Sequence, residues 1–440
     1  MPELHLKVFS NRSELVKSDG TTEIFTEGPN NPQTKARYKK ISDALKNGYL
    51  ENQILLCKEN PERLNITQIK EEHIQLLEIL VSSLTSEVGR AIIGLTILQL
   101  CVKVIEPEQS IRLHKGGSSA KDFSWSEGIS MRTLDNTFIT PVLRKYDLLK
   151  LNKDGFMMTR SLAENYPYST VYKAHIRGAR VQWTEIVEAV ENKIMDPVPA
   201  LQYLLSQLLN QANAFLSLRE RTINHLKSLI SLNKLNEKQD IYRIIKDHAF
   251  NSNYAARIME IAMHTLMQGL QDTNALGSLR IVPLSQMRSA NKKHGNIGDI
   301  ELTEDSRIVE SWDAKFGKSY LRDELEELND KLEGHPNIKV VGFITNVVPE
   351  RLEEIQARVL EIEAYYDLSV QILTLDKWID NQFNRAAQEG IAETTLAVAW
   401  ITAYTESLAQ LRPTIAPIDE PCYQWLETLD QIFLKFFQNV

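Results

Sequence analysis

The sequence predicts an α/β protein whose C-terminal half contains a sheet and whose N-terminal half is mainly helical. Two observations predict this. The N-terminal half carries apolar residues at helical spacing, over 34–48, 67–84 and 87–104. Beyond residue 253, helical and strand patterns alternate along the chain. The helical patterns there lie at 254–270 and 320–332, and the strand patterns at 298–302, 309–317, 338–345 and 368–373.

The length of 440 residues favours about three domains. We divide the chain by pattern and charge into four regions. Residues 1–110 are predicted to be a helical N-terminal region, and 111–183 a basic region. Residues 184–250 are predicted to be a helical bridge. Residues 251–440 contain the strands and end in further helices, with patterns at 376–388, 391–411 and 421–437.

Composition excludes several classes of protein. Hydrophobic residues make up 43% and charged residues 25%, as in an ordinary globular protein with ample core. The three cysteines are odd in number and far apart in sequence, which favours a reducing compartment over a disulfide framework. The most apolar run, 91–105, is interrupted by Gln99 and Lys103 and is too short to span a bilayer. We therefore expect a cytoplasmic protein without membrane contact.

Two neighbouring strand patterns carry carboxylates on one face. Side chains alternate between faces, so Asp299 and Glu301 share a face, and Asp313 and Lys315 share a face of the next strand. If those faces coincide, the two aspartates and Lys315 converge. Two carboxylates can hold Mg²⁺, whose coordination is then completed by waters and phosphate oxygens. A lysine beside that ion can orient the attacking water or stabilise phosphate charge.

This pattern resembles the active-site motif of the PD-(D/E)xK nuclease superfamily, which includes most type II restriction endonucleases. Asp299 matches the first aspartate, and Asp313-Ala314-Lys315 matches the D-x-K. Gly298 stands where the pattern usually has proline. The order of helices and strands over 253–375 also matches the family core. The resemblance implies a restriction-endonuclease-like mixed sheet flanked by helices.

The resemblance also implies a set of site residues. Asp299, Asp313 and Lys315 would be catalytic, and Asp299 and Asp313 would hold Mg²⁺. A glutamate from the preceding helix often joins the metal site in this superfamily, which nominates Glu260. Glu301 lies on the correct face to be a further metal ligand or to support one. The alternatives are a charge on the polar stripe of a helix for Glu260 and a solvated strand carboxylate for Glu301. We leave Glu310 out because it shares a face with Trp312.

The segment 112–180 differs in charge from the rest. It has twelve Lys and Arg against six Asp and Glu, a net charge of +6, whereas the whole chain has −8. Such a segment is typical of a surface that contacts DNA phosphates, although a solvated basic face is the alternative. The residues expected to contact DNA are Arg112, His114, Lys115, Lys121, Arg132, Arg144, Lys145, Lys153, Lys173, Arg177 and Arg180.

Part of this basic region has the pattern of a DNA-binding module. A helical pattern at 133–146 precedes a hairpin pattern at 148–159, with Asp154-Gly155 at its turn. A helix followed by such a hairpin is similar to the end of a winged helix.

The resemblance implies a type II restriction endonuclease that cleaves double-stranded DNA at a specific sequence and leaves 5′-phosphates. A homodimer would match a palindromic site. A cognate DNA methyltransferase in the same system is implied, without direct contact. Two alternatives stay open. One is a DNA nuclease for repair or structure-specific cleavage. The other is a non-enzymatic DNA-binding protein in which the motif is accidental.

Overall fold

A computed structural model describes residues 3–64, 66–83, 87–115, 124–149, 166–172, 179–235, 237–285, 296–415 and 420–438. The chain forms two compact units, Met1–Ala214 and Phe215–Val440. The division between them lies within the region 184–250 that we predicted to be a helical bridge. The described residues contain both helices and sheets, one of three strands and one of five, so the predicted α/β class is confirmed.

The first unit begins with a small antiparallel sheet in the order β1 (His5–Val8), β2 (Arg12–Val16) and β3 (Thr22–Thr26). We predicted a helical N-terminal region at 1–110, and these three strands were not part of that prediction. Leu15 and Phe25 anchor the sheet against Leu113 and Trp125 in a small apolar cluster. The strands are short and largely polar, so the apolar pattern that locates a strand is weak in this segment.

Helices form most of the first unit. The predicted helical patterns at 34–48, 67–84 and 87–104 correspond to helices. A further helix, Tyr49–Glu59, was not predicted. The helices are α1 (Pro32–Lys46), α2 (Tyr49–Glu59), α3 (Glu71–Ser82), α4 (Glu87–Ile105), α5 (Met131–Leu134), α6 (Thr140–Lys145), α7 (Arg180–Glu191) and α8 (Pro197–Ser231), the last of which contains the division between the units.

The predicted helix at 133–146 is confirmed as a continuous helical run, in which a π-helical turn (Asp135–Ile139) joins α5 to α6. Asp135 is buried within that turn and accepts a hydrogen bond from the Thr140 hydroxyl at 2.5 Å. The predicted hairpin at 148–159 lies outside the described residues from position 150 onward. The winged-helix interpretation therefore stays a prediction.

The second unit contains a mixed sheet of five strands, β4 (Arg280–Ile281), β5 (Ile300–Glu304), β6 (Arg307–Ala314), β7 (Val340–Thr345) and β8 (Ser369–Thr374). Their order in the sheet is β4-β5-β6-β7-β8. The strands pair antiparallel from β4 to β6, and β7 and β8 continue parallel to β6. All four strand patterns predicted in this half are confirmed. They correspond to β5 to β8, whereas β4 was not predicted.

Helices cover both faces of this sheet. One apolar core contains Trp312 together with residues of α10, α13, α14 and α16, and a second contains Phe343 together with residues of α11 and α12. No helix in the described ranges is long and apolar enough to cross a membrane. The helices of this unit after α8 are α9 (Lys238–Phe250), α10 (Ala255–Asp272), α11 (Arg322–Leu332), α12 (Leu352–Tyr366), α13 (Leu375–Gln388), α14 (Glu393–Glu406), α15 (Arg412–Ile415) and α16 (Cys422–Gln438).

Candidate active site

Strands β5 and β6 have the alternation that the sequence predicts. Ile300 and Leu302 lie in the apolar core with Trp312, and Ile300 is directly opposite Trp312 across the strand pair. Glu301 is opposite Ser311. Because side chains alternate, these two polar residues lie on the other face of the sheet. Each strand therefore has one apolar face and one face that carries polar groups.

Gly298 allows the chain to enter β5 very close to β6. A Cβ atom at this position would lie 2.7 Å from Ser311 Oγ and 2.8 Å from the carbonyl oxygen of Trp312, distances that real Cβ atoms do not show. Proline also carries a Cβ. The departure from the family pattern at this position therefore has a physical reason, and the close approach brings Asp299 against the end of β6.

Asp299 and Asp313 meet across the strand pair. Asp299 directly precedes Ile300, and Asp313 directly follows Trp312, the residue opposite Ile300, so the two aspartates lie at the same end of the strand pair. Each carboxyl group changes the pKa of the other. The backbone N–H of Ala314 donates to Asp299 Oδ2 at 3.0 Å. Asp313 is only 9% exposed. The predicted convergence of the two aspartates is therefore present in the structure.

Burial and mutual repulsion make this pair hard to ionise fully. Burial raises the pKa of Asp313 to about 8, and the neighbouring Asp299 adds to the rise. Burial also raises the pKa of Asp299, with a further contribution from the charge of Glu260. At neutral pH the pair of aspartates therefore retains a proton. A divalent cation would favour loss of that proton and relieve the repulsion.

Lys315 lies beside this pair. Its backbone N–H donates to the carbonyl oxygen of Ile344 at 2.7 Å, which extends the pairing of β6 with β7 past the end of β6. Its Nζ is 3.0 Å from Asp313 Oδ2 and 2.7 Å from Glu324 Oε2. Burial lowers the pKa of Lys315, but the charges of Asp313 and Glu324 outweigh burial and raise it above its usual range. Lys315 is therefore a fixed cation.

Glu260 lies near the aspartate pair, on α10. Burial raises its pKa, an ion pair with Arg257 opposes the rise, and the charge of Asp313 adds to it. The charge of Glu260 in turn raises the pKa of Asp299. Three carboxylates thus interact electrostatically at this point. This position fits the role that the resemblance assigned to Glu260 better than that of a charge on an isolated polar stripe.

A buried ionic network holds the Glu260 side of the site. Arg257 Nε donates to Glu420 Oε1 at 2.9 Å, and Arg412 donates to both oxygens of the same glutamate, at 2.5 and 2.6 Å. Arg412 also donates to the carbonyl oxygens of Leu284 and Ser285, at 2.8 and 2.9 Å. The network ties α10 and α15 to the chain that follows β4. Sequence analysis did not identify Arg412 or Glu420, because their positions carry no local motif.

The Glu301 side chain accepts a hydrogen bond from the main chain. It is buried, and its Oε1 accepts a hydrogen bond from the N–H of Ile297 at 2.7 Å. Burial raises its pKa, and the N–H groups of Ile297 and Gly298 partly offset this rise. These contacts hold the backbone just before Asp299. The alternative of a solvated carboxylate is therefore wrong, and the contacts indicate support of Asp299 instead of direct metal binding.

Glu310 lies on the Trp312 face, as its strand position predicts. It accepts a hydrogen bond from Trp312 Nε1 at 2.7 Å and forms an ion pair with Arg385 at 3.1 Å. It stays outside the candidate site.

A small cavity lies beside Asp313 and Glu324, and Ser311 and Phe343 also line it. The space within it that can hold the centre of a water molecule is about 10 Å³, enough for about one water. A nucleotide therefore does not fit there.

The carboxylates fit a magnesium ion by the chemistry of their donors. Among the described residues, no three His, Cys, Asp or Glu side chains already form a metal-binding group. Mg²⁺ needs fewer protein ligands than three, because it is usually held by one or two carboxylates, and waters and substrate phosphates complete its coordination shell. Asp299 and Asp313 supply two, and Glu260 lies near enough to interact with them.

Arg112 does not fit the predicted DNA contact. Its side chain is 0% exposed; Nη1 lies 2.8 Å from Glu188 Oε2 and also donates to the carbonyl oxygen of Tyr168 at 3.0 Å. Nε lies 3.5 Å from Glu23 Oε2. A guanidinium held by two carboxylates inside the first unit stabilises the fold and cannot reach a phosphate. We remove Arg112 from the proposed contact set.

The other described residues of the basic segment differ in exposure. Arg132, Arg144 and Lys145 are exposed, although Lys145 pairs with Glu51 at 2.5 Å. Lys115 is half-buried. Arg180 is also half-buried and donates to the carbonyl oxygen of Tyr172 at 3.1 Å. The predicted contacts Lys121, Lys153, Lys173 and Arg177 lie outside the described residues.

His114 is not a cation at neutral pH. Burial lowers its pKa to about 4, and the charge of Arg132 adds to this effect. It could contact DNA only as a neutral hydrogen-bonding group, which weakens its predicted role at a phosphate.

No protein-family model matches this chain, and a search of curated proteins finds no significantly similar sequence. The interpretation of the site therefore depends on its geometry and on the motif.

Proposed function

We propose that this protein is a Mg²⁺-dependent endonuclease of the PD-(D/E)xK type. Within that class, we propose that it is a type II restriction endonuclease. One observation carries the proposal. Asp299 and Asp313 lie together at the end of the paired strands β5 and β6, where each changes the pKa of the other, and Lys315 Nζ is 3.0 Å from Asp313. The helices α10 to α12 around strands β5 to β8 support the restriction-endonuclease-like fold that the motif implies.

Each residue has a role that follows from its surroundings. Asp299 and Asp313 would hold the metal ion, and Glu260 would complete or adjust its coordination. When bound, Mg²⁺ lowers the pKa of water and stabilises charge on the phosphate. Lys315, a fixed cation at the same point, would orient the attacking water and offset the charge that develops on the phosphate. Glu301 and Gly298 would fix the backbone that presents Asp299.

The product of such hydrolysis would carry a 5′-phosphate. The exposed cations Arg132, Arg144 and Lys145 of the basic segment would contribute DNA contacts. The half-buried Lys115 and Arg180 would add to them, and His114 would do so as a neutral group. Lys121, Lys153, Lys173 and Arg177 remain in the proposed set. We further propose that the substrate is double-stranded DNA and that the protein forms a homodimer that matches a palindromic site. We also propose that a cognate DNA methyltransferase belongs to the same system and that the protein is cytoplasmic.

Digestion of plasmid and genomic DNA tests the proposal. Purified protein with MgCl₂ is expected to produce discrete fragments, and sequencing of the fragment ends should give one recognition sequence and 5′-phosphates. EDTA should stop the reaction. A smear of fragments would favour a nuclease of another purpose. Intact DNA under all conditions, with binding retained, would favour a non-enzymatic DNA-binding protein.

The variant Lys315→Ala separates catalysis from binding. It should cut at a rate reduced by about 10²-fold or more, as for removal of a group that stabilises transition-state charge. Its affinity for DNA should be close to that of the unmodified protein, because one lysine among many cations contributes little to docking. A Lys315→Ala protein that cuts at the normal rate would contradict the assignment of this residue.

A further inference from the structure

Glu324 binds two lysines at the candidate site. It lies in the first turn of α11, and its side chain is only 9% exposed. Its Oε2 is 2.7 Å from Lys315 Nζ, and its Oε1 accepts from Lys318 Nζ. Each oxygen therefore holds a different cation. Neither the motif nor the resemblance assigns a role to this residue.

The position of Glu324 suits a permanent negative charge. The N-terminal turn of a helix favours carboxylates, because its free N–H groups and the helix dipole are positive there. A buried carboxylate between two ammonium groups is also compensated electrostatically. Glu324 is thus a fixed anion, supplied by a different element from the strand that carries Lys315.

Lys315 is shared between two carboxylates, and only one of them is a proposed metal ligand. Its Nζ is 3.0 Å from Asp313 and 2.7 Å from Glu324. If Asp313 held a cation, its contact with Lys315 would weaken, and Glu324 would be the remaining anchor. Without such an anchor, a four-carbon lysine side chain samples many rotamers.

Lys318 differs from Lys315 in exposure. Its side chain is 56% exposed, whereas that of Lys315 is 16% exposed. The backbone carbonyl oxygen of Lys318 accepts a hydrogen bond from the Thr345 hydroxyl at 2.7 Å, which fixes this turn against the end of β7. An exposed ammonium on an anchored turn next to the site can reach a phosphate that neighbours the reacting one.

We propose that Glu324 is a positioning residue that holds Lys315 in place for catalysis and Lys318 in place to bind an adjacent DNA phosphate. This inference depends on the proposed function, since both lysines act on a phosphodiester. It assigns different effects to the two contacts. Loss of the Lys315 contact lowers kcat, and loss of Lys318 raises KM.

Steady-state cleavage of a duplex that contains the recognition sequence tests the inference, with variants Glu324→Gln, Glu324→Asp and Lys318→Ala. Glu324→Gln should lower kcat by about 10²-fold, the effect expected of a misplaced catalytic group. Glu324→Asp keeps the charge and should recover part of the rate. Lys318→Ala should raise KM and leave kcat unchanged. Glu326→Gln is the control, because Glu326 is on the same helix and pairs with Arg322 and Arg358.

A double-mutant cycle distinguishes positioning from general support of the fold. In a Lys315→Met background, Glu324→Gln should cause no further loss of kcat, because the contact through which Glu324 affects kcat is already absent. Independent, additive losses would overturn the inference, and so would a Glu324→Gln protein with normal kcat. If the unmodified protein never cuts DNA, the proposed function itself fails and the inference fails with it, which is a separate and recognisable result.

Discussion

Asp313 lies beside Asp299 at the end of the antiparallel pair of β5 and β6, and each carboxyl group changes the pKa of the other. Two carboxyl groups in this position destabilise one another unless a proton or a cation lies between them. The surrounding residues hold them together nonetheless.

The close approach at Gly298 should matter more for activity than for stability. Gly298→Ala would place a Cβ 2.7 Å from Ser311 Oγ and 2.8 Å from the Trp312 carbonyl, so the chain must move away from β6. Because Asp299 is the next residue, its carboxylate moves too. We expect cleavage to fall by about 10²-fold, since misplacement by about 1 Å can have that effect.

The matched control for this variant is Gly334→Ala, where a new Cβ meets no atom within 4 Å. Cleavage assays and thermal unfolding of both variants give the comparison. Normal cleavage by Gly298→Ala would show that the spacing of Asp299 from β6 is not critical.

Magnesium should stabilise the folded protein through the aspartate pair. A ligand that binds only the folded state at 100 times its Kd adds about 2.7 kcal/mol to the free energy of unfolding. We therefore expect the Tm of the unmodified protein to rise with MgCl₂ and to fall again with EDTA. In Asp313→Asn the rise should be much smaller. If MgCl₂ raises the Tm of both proteins equally, magnesium binds at another site.

The exposed basic residues of the first unit should contribute to DNA affinity. Arg144 is exposed near the C-terminal end of α6, so Arg144→Ala should weaken binding to all sequences alike. Loss of one phosphate contact should also reduce the slope of log K against log salt by about 1. Lys39→Ala, at an exposed lysine of α1, is the control. Fluorescence anisotropy at several salt concentrations measures both, and identical slopes would remove Arg144 from the contact set.

Acid should destabilise the protein through His248. Its Nε2 contacts the carbonyl oxygen of Trp425 at 2.7 Å and must therefore carry the proton, so Nδ1 accepts from the Tyr404 hydroxyl at 2.6 Å. Burial lowers the pKa of His248 to about 4 from 6.5. Between these pH values the unfolded chain binds a proton that the folded chain does not bind. The free energy of unfolding should therefore fall as pH drops from 6.5 to 4.

The contribution of this one histidine is on the order of 3 kcal/mol across that range. Urea unfolding at several pH values measures the slope. His248→Gln keeps a donor and an acceptor but does not titrate, so its free energy of unfolding should depend less steeply on pH. An unchanged slope would mean that other groups dominate the acid response.

The sequence predicted the parts of the fold that depend on local pattern. Strands with alternating or continuous apolar residues, such as β6 and β7, were located, and the alternation predicted that Asp313 and Lys315 share a face. The first sheet was not predicted, because β1 to β3 are short and polar and their core contacts come from Leu113 and Trp125, far along the chain. Only the folded chain reveals such distant partners.

The same reason explains the errors at the level of single residues. Arg112 was grouped with exposed cations because its sequence neighbours are basic, yet Glu188 and Glu23 pair with it inside the first unit. Glu324 and Glu420 have no motif, and their importance comes from lysines and arginines on other elements. The charged residues in a sequence give the net charge of a segment, whereas the packing of distant segments determines which buried charges pair.

The most direct test of the account is the rate at which the purified protein cuts plasmid DNA with MgCl₂, compared with that of Asp313→Asn. Asparagine has the same shape but cannot supply a carboxylate to the metal. Asp305→Asn, at an exposed residue in the turn between β5 and β6, is the control. We predict rapid cleavage by the unmodified protein and by the control, and none by Asp313→Asn. Equal cleavage by all three would contradict the account.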